Sequence, residues 1–250
     1  SQFERYFQIS RCFRDEDTRG DRQPEFTQID IEMSFADEEE IMVIAEKLII
    51  LLVNNIHPGK KITVTPFPKI SYDQAIKLYN SDRPDLRKDK SNPNELAFAW
   101  IIDFPMFQKR EDGSVAALHH PFTKPQSEKL SMATKAHQYD LVCNGFELGG
   151  GSLRTSNPEL LEKVFQFMGH NMKEIRNQFG HILEAFEFGV PPHGGIALGF
   201  DRIMAVLRNE KSIREVIAFP KTGDGRELLM NSPSKIKDNQ LKELHIKCQE

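Results

Sequence analysis

The sequence has few of the features that mark secreted, zinc-binding or membrane proteins. Its 250 residues include only three cysteines, Cys12, Cys143 and Cys248, which lie far apart and form no CxxC or CxxH pair. This usage predicts neither a disulfide framework nor a zinc site, and it fits a reducing compartment. The longest apolar run, Leu48 to Val53, is far too short to span a membrane. No signal-peptide pattern opens the chain at Ser1.

Other absences narrow the classes of function. Lysine plus arginine number 33 and aspartate plus glutamate 37, so any contact with nucleic acid must use a local basic patch. There is no internal repeat, no low-complexity tract, no Walker A loop and no strand-linked GxGxxG. A bound nucleotide would therefore need arginine side chains for its phosphates, since the planar guanidinium grips two oxygens and stays charged.

What is present begins with an alternating hairpin. Between Tyr6 and Arg14, three apolar residues alternate with polar ones, which predicts a half-buried strand; they are Phe7, Ile9 and Phe13. After a charged loop over Asp15–Glu25, the alternation resumes from Phe26 to Phe35 and predicts the partner strand. Its polar face is acidic and amidic, and consists of Gln28, Asp30, Glu32 and Ser34.

The remaining pattern predicts an α+β fold. Capping signals predict helices from Asp37 to Asn55, Ser71 to Tyr79 and Asn157 to His170, and further helices are expected over Ser127–Ala136 and Gly199–Arg208. Further strands are expected over Ala97–Asp103, Tyr139–Asn144, Phe146–Arg154 and Gly195–Leu198. Because hairpins outnumber βαβ units, we expect a mostly antiparallel sheet with helices packed on one side.

Four clusters carry candidate chemistry: Phe13–Asp30, Leu118–Phe122, Tyr139–Arg154 and Pro191–Arg202. Each also has a plain structural interpretation, respectively a salt-bridged sheet edge, an exposed polar spot, a glycine bend and a strand-to-helix turn. The functional interpretation is that the glycines let a ligand lie against the backbone. Asp140 and Glu147 could then share Mg²⁺, which prefers oxygen ligands, and Arg202 could reach a terminal phosphate.

Taken together and in this order, the clusters resemble the class II aminoacyl-tRNA synthetases. Phe13-Arg14-Asp15-Glu16 resembles their motif 2 and Gly199-Phe200-Asp201-Arg202 their motif 3. Within the class, the stretches CFRDED, DRQPEFTQIDIEMSF, LHHPFT, GFELGGGSLR and PPHGGIALGFDR are similar to those of the bacterial and mitochondrial aspartyl-tRNA synthetase family. The resemblance covers essentially all 250 residues. It implies an antiparallel sheet flanked by helices, in agreement with the strand pattern.

The resemblance also implies a reaction and a set of site residues. Aspartate would attack the α-phosphate of ATP to give aspartyl-adenylate, and the aspartyl group would pass to the 3′ end of tRNA-Asp. The implied ATP site comprises Arg14, Glu16, Gln23, Phe26, Glu147, Gly199 and Arg202, with Phe26 stacked on adenine and Mg²⁺ held by Asp140 and Glu147. The implied aspartate site comprises Arg14, Gln28, Asp30, His119 and Arg154. Arg14 would be the catalytic residue, bridging the substrate carboxylate and the α-phosphate.

The expected selection of aspartate over asparagine depends on Arg154. Its guanidinium would fork onto the side-chain carboxylate of aspartate, whereas asparagine is nearly isosteric but uncharged. Removing one partner of a buried ion pair costs about 3–5 kcal/mol, or roughly two to nearly four powers of ten in binding. A site built around such a group rejects the uncharged analogue without editing.

Some parts of the family pattern have no counterpart in the sequence. We expect residues 1–250 to be the catalytic core from motif 2 to the C-terminus, without motif 1 or the N-terminal anticodon-binding domain. The family's insertion is missing near residues 87–97, where Arg87 leads to Ala97 in under ten residues. The resemblance further implies a homodimer for the full-length protein. It implies no membrane association and a cytoplasmic location, with the mitochondrial or plastid matrix left open, as is the charging of tRNA-Asn.

Rival functions belong to different classes. The first is a synthetase for asparagine or lysine, against which Arg154 and DRQPEFTQID argue. The second is a tRNA-independent adenylate-forming ligase of the asparagine synthetase type, and the third a non-catalytic paralogue of a synthetase. The loop with Arg19 and Arg22 fits contact with the acceptor end of a tRNA, which argues against the tRNA-independent ligase. The salt dependence of RNA binding would separate a tRNA-binding synthetase from that ligase.

Overall fold

A seven-stranded sheet dominates the computed structural model, which describes residues 3–247. The strands are β1 Arg5–Phe13, β2 Glu25–Ser34, β3 Lys61–Ile62, β4 Lys69–Ser71, β5 Glu95–Leu96, β6 Phe98–Ile102, β7 Phe107–Lys109, β8 Val115–Ala117, β9 Gln138–Cys143, β10 Phe146–Leu153 and β11 His193–Gly199. The helices are α1 Glu38–Ile56, α2 Tyr72–Tyr79, α3 Pro158–Phe167, α4 Met172–Glu187, α5 Phe200–Arg208 and α6 Asp238–Glu243, with a 3₁₀ helix over Ile213–Val216.

The order in the main sheet is β1-β2-β11-β10-β9-β6-β4, and every neighbouring pair is antiparallel except β4 with β6. The expected hairpin of β1 and β2 is present, and β9 and β10 form a second one. In the β9–β10 hairpin, Asn144 and Gly145 form a two-residue turn with φ of 52° and 88°, as a type I′ turn requires. The predicted α+β class, an antiparallel sheet flanked by helices, is therefore confirmed.

The apolar face of the central strands forms the main core with α1 and α5. The capping box of Asp37 and Glu40 starts α1, which buries Ile41, Ala45 and Ile49 in this core. Helix α2 instead packs Ala75 against the opposite face of β6. Helices thus lie on both faces, and only α1 and α5 follow the one-sided arrangement that we expected.

The edge strand β1 is more exposed than its pattern predicted. Phe7, Ile9 and Phe13 are all about 70% exposed, because α5 and α1 pack on β2, β10 and β11 and do not extend over the edge. Alternation shows that one face of a strand is apolar, but it does not show that another element covers that face. Phe35 also leaves the expected strand: it has φ of 55° and is exposed.

Two helix expectations need correction. Residues Ser127–Ala136 form bends and turns instead of a helix, because the end of the segment pairs with the backbone around Phe104: Thr134 O accepts from Met106 N (2.8 Å), and Ala136 N donates to Phe104 O (2.8 Å). Helix α4 was not predicted, although Asn171 and Glu174 form a capping box at its start. Helices α3 and α4 pack together around a cluster of phenylalanines that includes Phe122.

Close packing of β10 against its neighbours requires Gly151. A Cβ atom there would lie 2.6 Å from Tyr139 Cε2 and would overlap the carbonyl oxygen of Gly195. We expect Gly151→Ala to lower the free energy of unfolding by about 3 kcal/mol. This is the upper end of the usual cost of overpacking, because the backbone of β11 must move to make room for the methyl group.

Gly180→Ala is the matched control for Gly151→Ala. Gly180 lies within α4 with open space around it. Alanine at this position should therefore raise the free energy of unfolding by about 0.5–1 kcal/mol. Urea unfolding measures both, and equal stability of the two variants would contradict the packing argument.

Within residues 3–247, no helix combines the length and apolar character needed to cross a bilayer.

Candidate active site

A cavity of about 600 Å³ opens on the face of the central sheet opposite α1 and α5. Eleven of the twelve residues predicted for the site line it, namely Arg14, Glu16, Gln23, Phe26, Gln28, His119, Asp140, Glu147, Arg154, Gly199 and Arg202. They come from β2, β9, β10, β11, α5 and the loops between them. The sheet topology therefore brings together residues from all four clusters.

The floor of the cavity is backbone. Gly150, Ala197 and Gly199 lie on the cavity-facing side of β10 and β11, so no side chain longer than a methyl group rises from these positions. A Cβ atom at Gly150 would lie 2.7 Å from Asp140 Oδ1. A flat ligand can therefore lie directly on the strands, as the glycine content suggested.

One end of the cavity is formed by Arg14 and the hairpin loop. Hairpin pairing continues past β1 through a hydrogen bond from Arg14 N to Pro24 O (2.9 Å). The guanidinium lies 5.3 Å from the centre of the Phe26 ring, and its Nη1 is 3.8 Å from Glu16 Oε1. These are loose contacts on an exposed side chain, so Arg14 remains free to turn toward a ligand.

Arg154 forms the other end and is held from two sides. Its Nη1 donates to Ser152 Oγ (2.6 Å) and its Nη2 to Glu32 Oε1 (2.8 Å). The side chain is 27% exposed. Asp30 is half-buried next to this pair but is not among the cavity-lining residues. Burial and the Glu32 charge raise the pKa of Asp30, although Arg154 opposes this.

Two carboxylates face the cavity near its middle. Burial raises the pKa of Asp140 well above its usual range, and the charge of Glu147 raises it further. Gln138 Nε2 donates to Asp140 Oδ1 (2.8 Å). Residues 3–247 contain no group of three or more His, Cys, Asp or Glu side chains that could hold a metal ion. Two neighbouring carboxylates nevertheless suit a hard cation whose other ligands are water and phosphate oxygens.

Arg202 connects α5 to both flanking segments. Its Nη1 donates to Glu147 O (3.0 Å) and its Nε to Asp21 O (3.3 Å). The adjacent Asp201 is buried, and its Oδ2 accepts a hydrogen bond from Thr27 N (3.0 Å). The hairpin loop is thereby fixed to the start of α5 next to the cavity.

Two predicted residues occupy less simple positions. Gln23 is 3% exposed. Its amide group accepts from Lys221 N (2.7 Å) and donates to Lys221 O (3.2 Å), so it anchors the C-terminal segment while lining the cavity. His119 packs edge-on against Phe104, with ring centroids 4.7 Å apart. Desolvation lowers the pKa of His119, although the charge of Glu147 opposes this.

Sequence reasoning missed several residues of the site. Glu32 was placed on the polar face of β2 but was given no role, and Ser152 and Asp21 were not considered as site residues. For Glu32 a signal existed, since it continues the alternation of Gln28 and Asp30. For Asp21 none existed, because its contact with Arg202 joins residues 181 positions apart.

The sequence is similar to known proteins over nearly its whole length. The model of the family described as tRNA synthetases class II (D, K and N) matches residues 1–223. The aspartate–tRNA(Asp/Asn) ligase of Dictyoglomus turgidum is 35% identical over 98% of this chain and 63% of its own length. That of Thermotoga neapolitana is 33% identical over 100% of this chain and 65% of its own length. The chain thus spans slightly less than two thirds of these relatives.

Solved structures share the fold. The aspartyl-tRNA synthetase of Entamoeba histolytica superposes with a TM-score of 0.67 at 24% identity, covering 87% of this chain and 48% of that one. The asparaginyl-tRNA synthetase of the same organism, solved with asparaginyl-adenylate, superposes with a TM-score of 0.69 at 22% identity, covering 91% and 55%. At these identities the likeness concerns the fold of the chain.

Proposed function

The chain belongs to the class II tRNA synthetases of the D, K and N group, and from this we propose that it is the catalytic core of an aspartate–tRNA ligase. It would convert L-aspartate and ATP to aspartyl-adenylate and pyrophosphate, then transfer the aspartyl group to tRNA-Asp. The observation that carries this proposal is Arg154, a cavity-facing guanidinium held by Ser152 and Glu32. A fixed cation at the end of a backbone-floored cavity suits a substrate with an acidic side chain.

The arrangement supports adenylate formation by positioning and charge stabilisation. An oxygen of the aspartate α-carboxylate attacks the α-phosphorus, and the bond to the pyrophosphate oxygen breaks. Arg14 binds both reacting groups and stabilises the charge that develops between them. Phe26 stacks on adenine, while Arg202 holds the terminal phosphate. Gln28 and Asp30 face the aspartate, with Asp30 near its ammonium group, and His119 helps to close the amino-acid pocket.

Asp140 and Glu147 are the residues that would hold Mg²⁺, with Glu147 also part of the ATP site. The ion would neutralise phosphate charge during the reaction. Support comes from the raised pKa of Asp140: burial and the charge of Glu147 raise it, although the hydrogen bond from Gln138 and the charge of Arg202 oppose this. A cation between the two carboxylates would offset that cost.

Asp140→Asn should separate stability from activity. A carboxyl whose folded pKa is raised destabilises the fold when ionised, whereas asparagine keeps the oxygen that accepts from Gln138. We expect the melting temperature at neutral pH to rise, because the substitution removes the buried charge and keeps that hydrogen bond. The gain should shrink as pH falls through the raised pKa of Asp140, where the wild-type carboxyl becomes neutral. Pyrophosphate exchange should become slower and should need a higher Mg²⁺ concentration, because one charged ligand is lost.

Asp112→Asn is the control for that experiment. Hydrogen bonds from Ser114 lower the pKa of Asp112, so its ionised form favours the fold and the substitution should not raise the melting temperature. Scanning calorimetry across pH measures both variants. A lower melting temperature of Asp140→Asn than of the wild type at neutral pH would contradict the charge argument.

The partners proposed with this function are tRNA-Asp, L-aspartate and, in a full-length protein, a second copy of the chain. The relatives are named as ligases for tRNA(Asp/Asn), which supports including tRNA-Asn as a substrate. We propose a cytoplasmic location, with the mitochondrial or plastid matrix as alternatives.

The proposed domain organisation is that residues 1–250 form a catalytic core from motif 2 onward, without the family's insertion near residues 87–97. One comparison supports the missing insertion. The alignment to the Dictyoglomus protein runs over 377 residues, whereas this chain has 250. The relative therefore carries long segments with no counterpart here.

The test is ATP–pyrophosphate exchange on this chain, with aspartate and asparagine in parallel reactions. We expect exchange with aspartate and little with asparagine. Equal exchange with both would overturn the choice of amino acid. No exchange, together with no binding of ATP, would favour the non-catalytic paralogue. Transfer of aspartate to tRNA-Asp, measured with the same sample, separates the proposal from a tRNA-independent ligase.

A further inference from the structure

A chain of two buried hydroxyl groups leads from the protein interior to the guanidinium of Arg154. Ser152 lies in β10 with no exposed surface, and its Oγ accepts from Arg154 Nη1 at 2.6 Å. Thr123 is 2% exposed, and its Oγ1 donates to Ser152 Oγ at 3.3 Å. The backbone of Thr123 also pairs with that of Arg154 through an isolated β-bridge. The hydroxyl groups and the arginine therefore form one connected unit.

We propose that Ser152, supported by Thr123, is a specificity-determining positioning residue that fixes Arg154 for the side-chain carboxylate of the substrate. This inference rests on the proposed function. Neither hydroxyl touches the substrate in this proposal. They act through the arginine, because both are buried behind it and only Arg154 lines the cavity.

The chemistry of the two acceptors explains why Ser152 matters in addition to Glu32. Glu32 accepts from Nη2 at 2.8 Å and holds the guanidinium by charge, so it also offsets part of the positive charge that an acidic substrate needs. Ser152 is neutral and restrains Nη1 without reducing that charge. The guanidinium has five N–H donors, of which these bonds use two. Three N–H groups remain for a ligand. The hydrogen bonds to Ser152 and Glu32 fix the plane in which these three groups lie.

The energetic consequence differs between acidic and neutral substrates. A carboxylate gains most from two parallel hydrogen bonds to an aligned guanidinium, which is a geometry-dependent interaction. A neutral carboxamide has only one acceptor oxygen and gains much less from alignment. Loss of the Ser152 restraint should therefore weaken binding of the aspartyl group selectively. A purely structural role for Ser152 would weaken both substrates alike.

The experiment measures binding, so it does not depend on turnover by this chain. The probes are the non-hydrolysable sulfamoyl analogues of aspartyl-adenylate and asparaginyl-adenylate, titrated by calorimetry against the 250-residue protein. We expect Ser152→Ala to weaken the aspartyl analogue by about 10- to 100-fold, the scale on which a misplaced binding group is felt. Affinity for the asparaginyl analogue should stay close to that of the wild type. Thr123→Val should act in the same direction with a smaller effect.

Thr155→Val is the matched control. Thr155 is equally buried and its Oγ1 donates to Thr123 O at 3.1 Å, but it makes no hydrogen bond to Arg154. It reports the cost of losing a nearby buried hydroxyl, and it should leave the ratio of the two affinities unchanged. Thermal melts show whether each variant is folded. If Ser152→Ala does not fold, the comparison of Thr123→Val with Thr155→Val decides.

The outcomes separate this inference from the proposed function. Wild-type preference for the aspartyl analogue, lost in Ser152→Ala and kept in Thr155→Val, supports both. The same preference kept in a folded Ser152→Ala variant overturns the role of Ser152 and leaves the function standing. Equal weakening of both analogues also overturns it. A wild-type chain that binds neither analogue, or both equally, overturns the proposed function and this inference with it.

Discussion

Replacing Arg154 with leucine should abolish the preference for aspartate over asparagine. The substitution removes the only charge proposed to bind the substrate side chain and leaves Glu32 without its partner at 2.8 Å. Breaking a buried pair costs about 3–5 kcal/mol, and because Arg154 is 27% exposed we expect the lower end. That corresponds to a loss of about 100-fold in kcat/KM for aspartate. Activity with asparagine should change little or rise, since the unpaired Glu32 repels aspartate alone.

Pyrophosphate exchange with both amino acids measures this change directly. Arg176→Leu is the control, because Arg176 lies on α4 outside the cavity lining and pairs loosely with Glu162 at 3.8 Å. It should leave the aspartate-to-asparagine ratio as in the wild type. An unchanged ratio in Arg154→Leu would remove the basis for assigning aspartate. A matching loss in Arg176→Leu would point to general destabilisation.

Local signals in the sequence predicted most of the main sheet. Strict alternation in β2 predicted the polar face that carries Gln28 and Asp30, and short apolar runs predicted β6, β9, β10 and β11. Capping pairs located the start of α1 and α2. Local signals failed where distant backbone competed for hydrogen bonds, as at Ser127–Ala136. They also failed where burial depends on which elements cover a strand, as at β1.

The site was predictable as a set of residues and much less so as a set of contacts. Motif resemblance selected eleven residues that line one cavity. It could not show that Glu32 pairs with Arg154, because this contact joins positions 122 apart. Nor could it show that the side-chain amide of Gln23 forms two hydrogen bonds with the backbone of Lys221. The roles in catalysis remain predictions that the experiments above address.

Substituting Arg14 should produce the largest loss of rate. The residue is proposed to bind the attacking carboxylate and the α-phosphate together, which needs a planar fork with several donors. Arg14→Lys keeps the charge but loses the fork. We therefore expect kcat for pyrophosphate exchange to fall by about 10²–10³, the usual effect of removing one donor that stabilises transition-state charge. KM for ATP should change less, because Phe26 and Arg202 also bind ATP in the proposed site and are unchanged in this variant. Arg11→Lys is the matched control: Arg11 lies three residues earlier, pairs with Glu25 at 3.1 Å and does not line the cavity. A rise in KM for ATP or aspartate without a fall in kcat would assign Arg14 to substrate binding alone. A group that acts only in the transition state leaves the affinity for the substrates intact.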